Sequence, residues 1–151
     1  MGRISTLVVA ADGGTARFFT WPKPNEYLTE HDDLRMEVPP SKGERGPAPR
    51  VQDSTGHHRH RIERRLTAHE ANEKKFLADV ACRIESLMVR FSATSLILCA
   101  PPKALGSLRA ALVKAGQDYE LATIAKDLIK EAAGQLDRRI RNLQASQRAN
   151  G

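Results

Sequence analysis

The sequence predicts a single α/β domain, a mixed sheet of about five strands in the order βββαβαβα with helices on its faces. Three observations lead there. The chain up to Met36 carries strand patterns, apolar runs broken by turn residues. Further on, a short run that is apolar throughout, Leu96-Ile97-Leu98-Cys99, lies between two helical patterns, as a buried strand of a parallel sheet does. Finally, the alternation of helix and strand beyond Thr67 requires parallel neighbours joined by right-handed crossovers.

Ile4 to Ala11 is apolar on both faces and reads as a central strand. Asp12-Gly13-Gly14 is a turn signal. Thr15 to Trp21 then alternates, with Ala16 and Phe18 on one face and Arg17, Phe19 and Trp21 on the other, which makes a hairpin. Pro22, Pro24 and Asn25 form the next turn. Glu26 to Met36 is a weaker third strand, polar enough for a sheet edge.

From residue 37 to residue 67 neither a strand nor a helix period is visible. Pro39, Pro40, Gly43, Gly46, Pro47, Pro49 and Gly56 punctuate this stretch, which then runs into His57-His58-Arg59-His60-Arg61 and Arg64-Arg65. It reads as a long basic loop, and a loop of that length in a compact domain is functional or disordered. Thr67 to Glu70 fits a capping box opening a helix. Leu77, Val80, Ala81, Ile84, Leu87, Met88 and Phe91 form its apolar face. Pro101-Pro102 ends the buried strand and starts a second helix, on which Ala104, Leu105, Leu108, Ala111, Leu112 and Ala115 recur. Gly116 closes it as a C-terminal cap. Tyr119 to Ala125 alternates as the fifth strand. Asp127 stands at the approach to a last helix bearing Ile129, Ala132, Ala133, Leu136, Ile140 and Leu143. Residues 1–143 thus form one domain, and 144–151 a frayed, disordered tail.

A chain of 151 residues is long enough for one core. No stretch approaches the roughly 18 apolar residues of a membrane helix, so membrane insertion is not expected. Cys82 and Cys99 both fall in apolar patterns and read as small buried hydrophobes, which points to a reducing, cytoplasmic location. The net charge is +6, and residues 37–67 supply half of it. Positive charge concentrated in this way favours an anionic partner.

Several stretches together are similar to a known family. They are Val8-Val9-Ala10-Ala11-Asp12-Gly13-Gly14-Thr15-Ala16-Arg17-Phe18-Phe19, Asp53-Ser54-Thr55-Gly56, His69-Glu70 with Phe76, Ala100-Pro101-Pro102 ahead of Leu105-Gly106-Ser107-Leu108-Arg109, and Lys126-Asp127-Leu128. In order and spacing the chain resembles, over about residues 4–140, the bacterial host attachment proteins, named as required for attachment to host cells. That resemblance implies kinship with the central domain of archaeal and eukaryotic peptide-release factors and a ribonuclease-H-like sheet. Two departures stand out. Release factors act through Gly-Gly-Gln, whereas the nearest strings here are Ala115-Gly116-Gln117 at a helix end and Ala133-Gly134-Gln135 inside a helix pattern. Peptidyl-tRNA hydrolysis is therefore not expected. Many family members also carry an acid before Lys-Asp-Leu, where this chain has Ala125.

The candidate binding residues are Asp12, Arg17, Asp53, Ser54, Arg59, Arg61, Arg64, Arg65, Lys126 and Asp127. Arginines neutralise phosphates without rigid geometry, so Arg59, Arg61, Arg64 and Arg65 suit RNA. Phe19 and Trp21 could stack bases if exposed, although strand aromatics more often belong to a core. A nuclease of ribonuclease-H type needs several carboxylates around paired metal ions. Only Asp12 and Asp127 stand near such positions, and turn chemistry explains Asp12 more simply. His57, His58, His60 and His69 lack the further ligands of a zinc site, and a solvated polycationic loop accounts for them better. Gly13-Gly14 lacks the third glycine and following helix of a phosphate-binding fingerprint. Asp127 and Arg109 also have structural readings, at a helix start and on a helix face. No cofactor is expected. The sequence reads as a non-catalytic binding module whose partner is RNA, the ribosome or another protein. The alternatives are a metal-dependent hydrolase using Asp12 and Asp127, or an oligomer pairing through the third strand.

Overall fold

The computed structural model describes residues 6–21, 27–38 and 57–150, with backbone alone at 57–67 and 144–150. Strand β1 (Thr6–Ala11) turns at Asp12 into β2 (Thr15–Trp21), forming the expected hairpin with Val8 opposite Phe19 and Ala11 opposite Ala16. The single third strand expected over 26–36 is instead two short ones, β3 (Thr29–Glu30) and β4 (Met36–Glu37), separated by a 3-10 turn at Asp32–Leu34. Both pair antiparallel with β2. Asp32 and Asp33 favour the turn, and the buried Leu34 anchors it.

Helix α1 (His57–Arg90) is followed by β5 (Ser95–Cys99), α2 (Pro102–Lys114), β6 (Glu120–Ile124) and α3 (Ala133–Asn150). β5 pairs parallel with β1, and β6 parallel with β5, giving a six-stranded sheet in the order β3-β2-β1-β5-β6 with β4 also on β2. Because β1, β5 and β6 advance in one direction, right-handed crossovers place α1 and α2 on the same face. Leu7, Val9, Phe18, Leu96 and Leu98 meet α1 and α2 there, while Val8, Phe19, Trp21, Ile97 and Cys99 pack with α3 on the other. The strand alternation read from the sequence is therefore what divides the two cores.

Three boundaries differ from expectation. Helix α1 begins at His57, so the basic run His57–Arg65 is helical rather than loop and Thr67 is interior to the helix, not its cap. Arginine is a good helix former, but a segment with no apolar face gives no periodic signal. Helix α3 likewise continues through Asn150 where a frayed tail was expected, and it starts at Ala133, beyond the turn that carries Leu128 and Ile129 into the core.

The apolar face of α1 is the predicted one, with Leu77, Val80, Ala81, Ile84, Leu87 and Met88 buried. The helix ends in a Schellman motif: Ser92 N–H donates to Val89 O (3.1 Å) and Ala93 N–H to Met88 O (2.9 Å), with Ser92 held at φ 53°. Gly116, at φ 80°, closes α2 in the same left-handed conformation, as anticipated. Cys99 is buried but Cys82 is exposed, a correction to the reading of both as core. Among the described residues no helix is long and apolar enough to cross a membrane.

Candidate functional site

The C-terminal ends of β1, β5 and β6 form one rim of the sheet, where open α/β sheets place their ligand crevices. At the end of β1 the carboxylate of Asp12 accepts from the N–H of Gly14 (2.8 Å) and of Thr15 (2.7 Å). Its work is to tie the hairpin turn. Beside it opens a cleft of about 210 Å³ lined by Gly13, Glu70, Glu73, Lys74, Lys103 and Ser107, with Leu77, Pro101 and Ala104 as its apolar floor. Helix α1 supplies one wall, and the start of α2 the other. The approach is close: a Cβ at Gly13 would lie 2.7 Å from Oε1 of Glu73, and the Glu73 side chain would have to shift.

The cleft is close to charge-balanced. His69 Nε2 lies 3.1 Å from Glu73 Oε1, and Lys103 Nζ lies 3.9 Å from Glu70 Oε1. Both are exposed pairs, which contribute little to stability and are easily exchanged for a ligand's groups. Among the described residues no group of three or more His, Cys, Asp or Glu converges so as to hold a metal ion. Asp127, at the end of β6, accepts from the N–H of Ile129 (3.3 Å) and so serves the turn before α3, while Lys126 is exposed on the same rim. The two acids of the hydrolase alternative are thus both engaged in turns.

Arg17 has a different role from that expected. It is 7 % exposed, and its guanidinium donates to both carboxylate oxygens of Glu30 (2.8 and 2.7 Å) and to the carbonyls of Ile129 (2.8 Å) and Glu131 (2.6 Å). It also lies over the Phe19 ring, 5.0 Å from its centroid. The hydrogen bonds from Arg17 lower the pKa of Glu30 from its ordinary value, and Glu30 in turn raises that of Arg17. Arg17 fastens β2 to β3 and to the turn before α3, and is not presented to a partner. Phe19 and Trp21 are buried, so they offer no base-stacking surface.

Asp53 and Ser54 lie outside the described residues. Arg59, Arg61, Arg64 and Arg65 fall in the first nine residues of α1. Along the rest of that helix residues 68–75 contain no buried side chain, and burial begins at Phe76. Arg65 precedes the cleft residue Glu70 by about 7 Å of helix rise. Three of the cleft's charged groups, Glu73, Lys74 and Lys103, were not picked out from the sequence. A signal existed: Glu70, Glu73, Lys74 and Leu77 continue backward, at helical spacing, the stripe of Leu77, Val80, Ala81 and Ile84.

The cleft unites stretches far apart in the chain, Gly13, Glu70, Pro101 and Ser107 among them. A family model described as "Protein required for attachment to host cells" matches residues 7–140. The chain belongs to this host attachment family. The matched span runs from β1 into α3 and includes every residue lining the cleft. A search of curated proteins finds no match.

Proposed function

We propose that this member of the host attachment family is a non-catalytic binding module that grips RNA with the basic front of α1. The observation that carries this reading is the placement of four arginines and three histidines, against one glutamate, on the first nine residues of a 34-residue helix, ahead of residues 68–75, which contain no buried side chain. A helical segment with no apolar face gains little from packing, so its cations serve contact better than folding. The first turn of α1 contains no acid, and cations there meet the positive end of the helix dipole. An approaching phosphate backbone relieves both. The cleft then lies on the same helix, a short distance beyond the arginines. The sheet order, with an antiparallel hairpin on one side of β1 and two parallel strands on the other, supports the ribonuclease-H-like kinship and with it a link to release-factor central domains. A reducing, cytoplasmic location and the ribosome as the source of the RNA belong to the same reading.

The test is fluorescence anisotropy of a labelled single-stranded RNA against the intact chain over a salt series. Binding should weaken steeply with salt. Replacing Arg59, Arg61, Arg64 and Arg65 together by alanine should reduce the log–log salt slope by roughly 3, the share of four phosphates on a single strand. Unchanged affinity and slope in that variant would overturn the proposal. So would preferential capture of an acidic protein over RNA at equal salt.

A further inference from the structure

We propose that the outer edge of β6 is a homodimer interface, where two copies of the chain join their sheets antiparallel about a two-fold axis. The two borders of the sheet are built differently. On the β2 side, β3 and β4 are two residues each and are broken by a 3-10 turn, a blunted edge of the kind that resists pairing. That makes the third strand the poorer pairing edge. The other border is β6, five residues in unbroken register with β5. It contains no proline, lysine or bulge, the usual guards of an exposed edge. Among the described residues no strand pairs with its outer side. Leu121, Ala122, Thr123 and Ile124 are only half-buried, whereas the corresponding residues of β5 are buried.

The hydrogen-bond phase of β6 specifies how a second strand fits. Glu120 N–H donates to Thr94 O, and Ile124 O accepts from Ala100 N–H, both at 3.1 Å. The even-numbered residues therefore face β5, and Leu121 and Thr123 turn their N–H and C=O outward. An antiparallel copy must pair outward residues with outward residues. With Thr123 on the two-fold axis opposite its own copy, Leu121 faces Ala125, Ala122 faces Ile124, and Glu120 faces Lys126. Threonine opposite threonine and acid opposite base are favourable cross-strand pairs, and the two-fold axis makes each Glu120–Lys126 contact twice. Glu120 and Lys126 are both exposed in the single chain, and Glu120 has no ion-pair partner among the described residues. The approach is open on the helix side as well. The helical spacing puts Gly106, Arg109 and Val113 on the flank of α2 away from the α1-facing Ala104 and Ser107. Gly106 has open space where a Cβ would point, Val113 is 68 % exposed, and Arg109 is a long exposed side chain able to swing clear.

Light scattering on the intact chain after size exclusion should give twice the 16.7 kDa of one copy. Thr123→Pro removes an outward N–H without touching the β5 ladder, and should yield a monomer with unchanged circular dichroism. Glu120→Lys opposes two lysines on each side of the axis and should weaken dimerisation roughly tenfold or more. Adding Lys126→Glu to Glu120→Lys should restore the dimer. A monomeric wild-type chain at all concentrations overturns the proposal. A dimer unaffected by either single substitution also overturns it, by placing the interface elsewhere.

Discussion

Replacing Arg17 by methionine keeps the length of the side chain and its contact with Phe19 while removing the guanidinium. Four hydrogen bonds end with it, two to Glu30 and one each to the carbonyls of Ile129 and Glu131. The side chains concerned are 9 % and 19 % exposed, so water cannot fully replace what is lost. Removing one partner of a buried pair costs about 3–5 kcal/mol because the other charge stays behind uncompensated. The partial exposure of Glu30 moves the expectation toward the lower value, and two stranded carbonyls move it back up. Urea unfolding at neutral pH should therefore show a loss of about 3–4 kcal/mol with an unchanged m-value. The loss should also depend on pH. Glu30 has a folded pKa below its unfolded one, so the pair stabilises the fold above the ordinary carboxylate range and stops doing so as pH falls through the lowered value. The gap between wild type and Arg17→Met should accordingly narrow on acidification. A loss under about 1 kcal/mol at neutral pH, the value of an exposed pair, would refute the argument that Arg17 is a structural clamp. A gap that stays constant into acid would refute the electrostatic part of it.

Two further outcomes follow from local geometry. Ser92→Gly should raise stability by about 0.5–1 kcal/mol in the same urea assay, because glycine adopts the left-handed conformation at the α1 terminus without the Cβ penalty. In thiol labelling, the native chain should react at Cys82 alone and the denatured chain at both cysteines. Burial shields the Cys99 thiol and pushes it up to about 12, so raising the pH moderately should not expose it. Rapid labelling of both thiols under native conditions would show that the α3 side of the sheet opens readily.

The hairpin, the two-sided apolar runs and the α1 face were legible in the sequence because each depends on local periodicity. Ala16 and Phe18 fall in one core, and Phe19 and Trp21 in the other, as alternation alone requires. The polar third of α1 was not legible, since helix formation there leaves no apolar stripe to detect. The cleft was legible only in fragments. Asp12-Gly13, His69-Glu70 and Pro101 could each be quoted from the sequence, but their convergence depends on β1 and β5 lying side by side.

By itself, then, the sequence determined the fold class, the sidedness of its strands and the concentration of positive charge between residues 37 and 67. Only the tertiary structure decided what the charges do. Arg17 and Arg59 are the same residue type, yet Arg17 is enclosed by Glu30 and two carbonyls contributed by distant segments, while Arg59 stands in the first turn of α1. The physical reason is that a charge is committed or available according to which groups surround it, and those groups come from long-range packing that no local pattern records.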